Sequence, residues 1–255
     1  MKNLILFLLI LVSGLQAATL VWPPQFQGSV NLPSQSHGSG YSSYSNEFWV
    51  PLWAEPTVYR YDRNYNFLGT FSTGQQQMMQ LIGDTDGSYY TANWGYYTIT
   101  KKASMSNATT LWSYNIGYYA GGVAVDNNYV YAMTYTGNVV HKLNKSTGNL
   151  VSTLTLNNMN GNYIYGSLAV VDNYLIRGTY DGYLEYFDLA TGNKMGSYST
   201  GYYIYGATFD GTSYYLHQNG STSARFTIAN PIPEPASFLL LGFALAAFVL
   251  RKKAL

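Results

Sequence analysis

Few side chains in this sequence are of a type that does chemistry. There are 12 acidic residues, three histidines and no cysteine. Glycoside hydrolysis needs two carboxyl groups held about 5 to 10 Å apart around the scissile bond. Most of the aspartates do not suit that work. Asp84, Asp86, Asp126, Asp172, Asp181 and Asp210 stand beside Gly, Asn or Thr between apolar runs, and Asp62 and Asp188 close other short runs. Asp accepts hydrogen bonds from its own turn and tolerates a left-handed backbone, so these positions read as turns. Glu47, Glu55 and Glu185 remain, and nothing in their spacing pairs them. His37, His141 and His217 have no metal-ligand spacing with one another or with an Asp. Ser42, Ser43 and Ser45 lack a nucleophile-elbow setting, and Gly38-Ser-Gly40 opens no helix, so no phosphate loop follows. The sequence predicts no catalytic residues, no metal and no cofactor.

The elements around these residues repeat with a period of about 40 to 44. Gly137 to Gly148 aligns with Gly182 to Gly192, and weaker copies lie at 58–62, 97–101 and 224–228. Apolar runs closed by Asp precede three of them, at 122–126, 168–172 and 207–210, and a Tyr-rich run follows each Asp. Short Tyr, Val, Ile and Thr-rich segments separated by Asn, Asp and Gly are strands and hairpin turns. Four such strands per repeat make a propeller blade. Thr147-Gly148 and Thr191-Gly192, with Tyr180-Asp181-Gly182, resemble the PQQ-like or YVTN-type propeller repeat. That resemblance implies a β-propeller. The blade tryptophan of the PQQ-dependent enzymes has one counterpart, Trp112, so the resemblance does not carry a quinone cofactor with it.

With the innermost strand first, the units run over 38–73, 74–116, 117–156, 157–200 and 201–228. The fifth has only three strands, and an unpaired edge is a liability. Thr19 to Trp22 offers the missing strand and would close the ring. The expectation is an all-β, five-bladed propeller over 19–230, with an open β-solenoid-like stack as the alternative.

One pattern survives at the joints between repeats. Tyr118 and Tyr119, then Tyr163 and Tyr165, then Tyr202, Tyr203 and Tyr205 each precede an inner strand. The first two repeats carry Tyr41 and Tyr44, and Gln75 to Gln77, at the same place. In a propeller these segments lie at one rim of the central channel. Tyr combines an apolar face with a hydroxyl, which suits the faces and edges of sugars. The expectation is a carbohydrate or exopolysaccharide contact surface; the alternative is that the rings only pack blade against blade.

The termini carry addresses. Lys2, the apolar run Leu4 to Val12 and the small residues at Ala17 and Ala18 form a secretory signal peptide over 1–18. At the other end, Pro233-Glu234-Pro235 precedes an apolar run from Ala236 to Leu250 and the basic cluster Arg251, Lys252 and Lys253. As a helix the 15-residue run covers roughly 22 Å, and its lysines and arginine can snorkel to complete a single transmembrane span. The basic cluster stays cytoplasmic and leaves the body outside. Residues 231–255 resemble the PEP-CTERM sorting tail. That resemblance implies a protein exported through the inner membrane, anchored there transiently, and processed by exosortase at Pro233, Glu234 and Pro235. It also implies a final place at the cell surface or in an extracellular biofilm or floc matrix.

Without Lys2, Glu234 and the terminal cluster, the body keeps nine of 13 basic and 11 of 12 acidic residues, a charge of about −2. No basic field is present to hold a nucleic-acid backbone. Absent cysteine means no disulfides. Charged residues are only 10% of the chain against 27 Tyr and 25 Gly, so hydroxyls and amides must make the surface polar. The expected role is a non-enzymatic scaffold or adhesion protein associated with exopolysaccharide, with a lectin-like binder as the alternative and a PQQ-type or hydrolytic enzyme as the third and weakest reading.

Overall fold

Apolar runs of four to six residues, punctuated by Asp, Asn and Gly, fold as the repeat predicts. The computed structural model describes residues 20–31, 38–161, 163–217 and 222–229. Among them there is no α-helix. The chain begins with β1 (Leu20–Asn31). The first blade is β2 (Ser39–Ser42), β3 (Glu47–Pro51), β4 (Thr57–Tyr61) and β5 (Phe67–Ser72). The second is β6 (Met78–Gly83), β7 (Tyr89–Asn93), β8 (Thr98–Lys102) and β9 (Thr110–Asn115). The third is β10 (Ala120–Val125), β11 (Tyr129–Thr134), β12 (Val139–Asn144) and β13 (Leu150–Thr155). The fourth is β14 (Leu168–Val171), β15 (Tyr174–Gly178), β16 (Tyr183–Asp188) and β17 (Lys194–Ser199). The fifth comprises β18 (Gly206–Phe209), β19 (Ser213–His217) and β20 (Thr222–Ala229), and β1 lies outside β20 as its fourth strand.

This is the five-bladed propeller, and the N-terminal strand closes it. The paired segment is longer than the predicted Thr19 to Trp22. It runs antiparallel to β20 from Leu20↔Ala229 to Asn31↔Thr222, with irregular register around Pro23 and Pro24. An outermost strand tolerates proline because its free edge needs no ladder donor. Trp22 turns inward and packs on Tyr186 of the fourth blade at 4.4 Å.

Burial falls from the axis outward. The Ala120–Val125 strand is buried along almost its whole length, whereas Leu150–Thr155 at the edge of the same blade is exposed. The innermost strands of the third, fourth and fifth blades therefore read as short runs of mostly small or apolar residues. Each of the five apolar clusters unites residues of neighbouring blades, as where Phe48 of the first blade meets Tyr215 of the fifth at 4.4 Å. Side chains of this kind supply roughly 2 kcal/mol each on burial.

The axis is filled. Gln80 is fully buried and its Nε2 donates to the carbonyls of Leu168, at 2.8 Å, and Ala207, at 3.2 Å. Its Oε1 accepts from the amides of Val123, at 3.0 Å, and Leu168, at 3.1 Å. One amide thus satisfies backbone groups on the inner strands of three other blades. The first and second blades meet more closely still, through a parallel ladder between β2 and β6. Gly166, at φ 54°, also presses on this region; a Cβ there would lie 1.6 Å from the Met79 carbonyl oxygen.

The signal peptide at 1–18 and the tail at 231–255, with its proposed span over 236–250, lie outside the described residues.

Candidate functional site

Antiparallel order fixes which loops share a face. The links between blades and the turns joining second to third strands lie on one side of the ring. The turns joining first to second and third to fourth strands lie on the other. The seven singled-out tyrosines belong to link segments, so all start from the first face.

That face carries a second set of aromatics which the joint pattern did not reveal. Trp53, Trp94, Tyr135 and Tyr180 each follow the second strand of a blade, in four consecutive blades. Their backbones staple the links in place. The Tyr135 amide donates to the Tyr119 carbonyl, and Ile164 donates to that of Tyr135 at 3.1 Å. One blade on, Tyr180 donates to the Tyr163 carbonyl at 2.9 Å and Ile204 to that of Tyr180 at 3.2 Å. The missed signal was legible: an aromatic recurs within two residues of the second strand in the first four blades.

The rings then form two groups. In the first, Trp53 meets Trp94 at 5.5 Å and Trp94 stacks on Tyr119 at 3.8 Å, 13° from parallel. Tyr118 stands beside Tyr119 and Tyr97, 47% exposed. In the second, Tyr165 lies among Tyr135, Tyr180 and Tyr205 at 5.1, 5.5 and 5.3 Å. Tyr163 leans on Tyr135 and Tyr203 on Tyr180. Phenols pair within this group: Tyr135 with Tyr165 at 2.9 Å, and Tyr180 with Tyr205 at 3.3 Å. The hydrogen bond with Tyr180, then burial, push the Tyr205 phenol up to about 12. Burial, then the bond to Tyr165, raise that of Tyr135. These hydroxyls stay neutral at physiological pH.

Three expectations need correction. Tyr41 lies within β2 and Tyr44 in the turn after it, on the opposite face, rather than at the joint before the inner strand. The tyrosines do not ring an open channel, because Gln80 fills the axis and the inner strands close around it. Nor do the seven form one set. Tyr118 and Tyr119 belong to the first group, and Tyr163, Tyr165, Tyr203 and Tyr205 to the second. Tyr202 turns outward to stack with Phe26 of β1 at 6.4 Å. Successive residues point to opposite sides of an extended link, which separates Tyr202 from Tyr203.

The opposite face holds most of the charge. Asp126 Oδ1 accepts from the amides of Asn128 and Tyr129, and its Oδ2 from the Tyr131 hydroxyl. Asp210 does the same with Thr212, Ser213 and Tyr215. Asp84 Oδ2 likewise accepts from Tyr90 at 3.0 Å. The third-to-fourth-strand turn of the next blade adds a cation: Lys145 on Asp84 at 2.9 Å, and Arg63 on Asp210 at 2.6 Å. The turn reading of these aspartates is thus a structural role, with each one capping its own hairpin.

The glutamates do not converge. Glu47 takes a bidentate bond from Arg60 at 2.6 and 2.8 Å. Glu185, on the third strand of the fourth blade, is fully buried with Arg177 at 3.4 Å, and it also accepts from the Asn160 amide at 2.7 Å. Desolvation raises the carboxyl and lowers the guanidinium, each against the pull of its partner. The pair anchors the long link over 156–167, since Arg177 also donates to the carbonyls of Asn160 and Gly161. His141 bonds Tyr114 at 2.8 Å, and His217 is buried against the Gly38 carbonyl at 3.0 Å. His37 lies outside the described residues. Among those described, no three of His, Cys, Asp and Glu come together.

Comparison with known proteins adds an address and a fold. Residues 231–253 match the PEP-CTERM protein-sorting motif. The chain thus carries the mark of a protein that is exported, anchored in the membrane for processing by exosortase, and then displayed at the surface. No curated protein matches the chain. Among solved structures, the glutaminyl cyclase of Myxococcus xanthus superposes with a TM-score of 0.63. The match covers 81% of this chain and 97% of that one, at 10% identity, and shows a likeness of fold alone.

Proposed function

We propose that this exported protein is a non-enzymatic component of an extracellular polysaccharide layer, and that it contacts polysaccharide through its aromatic face. The observation that carries the reading is the arc of rings contributed by consecutive blades, from Trp53 to Tyr205, on one side of the molecule. Sugar rings present C–H faces that stack on such surfaces and hydroxyls that bond phenols and amides. The arc is assembled before any ligand arrives, so little ordering entropy opposes binding. Export to the surface, which the tail at 231–253 marks, fits contact with such a layer. The filled axis and the separately engaged glutamates support a binding role rather than hydrolysis.

Trp53 and Trp94 provide the readout, because both lie in the arc. Titrating the purified protein with cell-surface polysaccharide should change tryptophan emission saturably, with no reducing ends released. Unchanged emission across the titration, or steady release of sugar, would refute the proposal.

A further inference from the structure

Resting on that reading, we infer that the ligand is a neutral polysaccharide, held across two equivalent aromatic ledges one blade apart. The first ledge is Tyr163 leaning on Tyr135, with ring centroids 5.1 Å apart and planes at 34°. The second is Tyr203 leaning on Tyr180, at 5.3 Å and 41°. The two share the contacts that fix their inner rings. Each inner ring (Tyr135, Tyr180) is fixed through its backbone carbonyl by the following link, and each bonds a second link tyrosine (Tyr165, Tyr205) through its hydroxyl. The outer rings are left accessible, with Tyr163 42% and Tyr203 65% exposed. Tyr165 and Tyr180, 5.5 Å apart, make the surface between the ledges continuous.

Repetition and charge together select the ligand. A single sugar covers one ledge, whereas a chain of similar units meets both, and the second contact gains from effective concentration. The described link segments and second-to-third-strand turns contain no Lys or Arg, and their carboxylates are Glu55 and Asp181. Asp181 directly follows Tyr180, at the second ledge. The nearest cations, Arg177 and Lys194, reach the 156–167 link but are engaged by Glu185 and by link oxygens, so a polyuronate or sulfated glycan would have to displace those bonds to pair with them and would meet the like charge of Asp181. A neutral chain loses nothing to either term, and its binding should be insensitive to ionic strength.

The test uses the full chain in detergent micelles and isothermal titration calorimetry, which reports binding at the ledges directly. The probes are neutral glucans, galactans and mannans, their monosaccharides, and a polyuronate. One neutral polymer should bind at least tenfold more tightly than its monosaccharide and than the polyuronate. Its affinity should hold between about 0.05 and 0.5 M NaCl, a range that strongly changes screening. Tyr163→Ala and Tyr203→Ala should each weaken that polymer about tenfold and leave the monosaccharide within twofold. Tyr44→Ala, on the opposite face and 66% exposed, should change neither. If either alanine variant is unstable, Tyr163→Thr and Tyr203→Thr carry the same test. Tighter binding of the polyuronate, or unchanged polymer affinity in both ledge variants, would overturn this inference while the polysaccharide reading stood. Binding of no polymer of either kind would remove both.

Discussion

On the Asp-turn face, Asp84 and Asp210 each gather a tyrosine hydroxyl from their own blade and a cation from the next. On the aromatic face, Trp94, Tyr135 and Tyr180 join blades by ring contact and by backbone bonds to the links. The same repeat therefore builds two kinds of inter-blade joint. The charged joints are directional and their carboxylates are buried: the Asp210 side chain has no exposed surface, while that of its partner Arg63 keeps 36%. The aromatic joints are broad, and they leave outer rings such as Tyr203 in solvent. A surface whose accessible rings are uncharged and already held in place can meet a ligand without giving up a structural contact. The difference suggests stability is concentrated on one face and recognition on the other.

The hardest blow to that division would come from the charged side. Asp210→Ala removes two amide caps, the Tyr215 bond and the partner of Arg63 at the junction of fifth and first blades. Losing three hydrogen bonds to a buried carboxylate, with an ion pair that Arg63 shares with solvent, costs about 3 to 5 kcal/mol, and thermal unfolding should shift accordingly, with polysaccharide affinity kept in the folded fraction. A shift of under 1 kcal/mol would show that the Asp-turn face does not hold the ring.

Acid offers a second probe of the same junction. Burial lowers the His217 pKa to about 4, with the bond to the Gly38 carbonyl opposing. The unfolded chain, with histidine near 6.5, takes up the proton first. Stability is thus full above about pH 6.5 and falls as pH drops towards 4, by roughly 3 kcal/mol at 1.4 kcal/mol per unit. His217→Gln, which keeps a donor for Gly38, should flatten that part of the pH profile in thermal denaturation. An identical slope in the variant would assign the acid sensitivity elsewhere.

Smaller effects belong to the aromatic side. Trp94→Ala loses a stacked pair and partial burial, which together cost about 2 kcal/mol, and it should abolish most of the ligand-induced fluorescence change. Smallest is Tyr203→Ala, where an exposed ring leaves stability within about 0.5 kcal/mol of the parent. Calorimetry showing a larger loss at Tyr203 than at Trp94 would mean that the outer rings are structural, and the contrast between the faces would collapse.

How much was legible follows from what each feature depends on. The Thr-Gly turns at Gly148 and Gly192 were readable because they are local. Asn144 and Asp188 each cap the amides two and three residues on and bond the Thr147 or Thr191 hydroxyl. The closing strand was readable from a count of strands, though its length was not, because pairing with β20 extends it past two prolines. Gln80 gave no sign of its role. It lies in a run of glutamine and methionine, and its four partners come from residues 43 to 127 positions away.

Sequence alone determined the repeat, the ring, the residue types available at the joints and the sorting address at 231–253, since these rest on local order and composition. Tertiary structure decided that the axis is filled, that Tyr202 leaves its neighbours, and that Tyr163 and Tyr203 occupy matching ledges. Each of those depends on distances between blades, which follow from how five separately legible units close around one another.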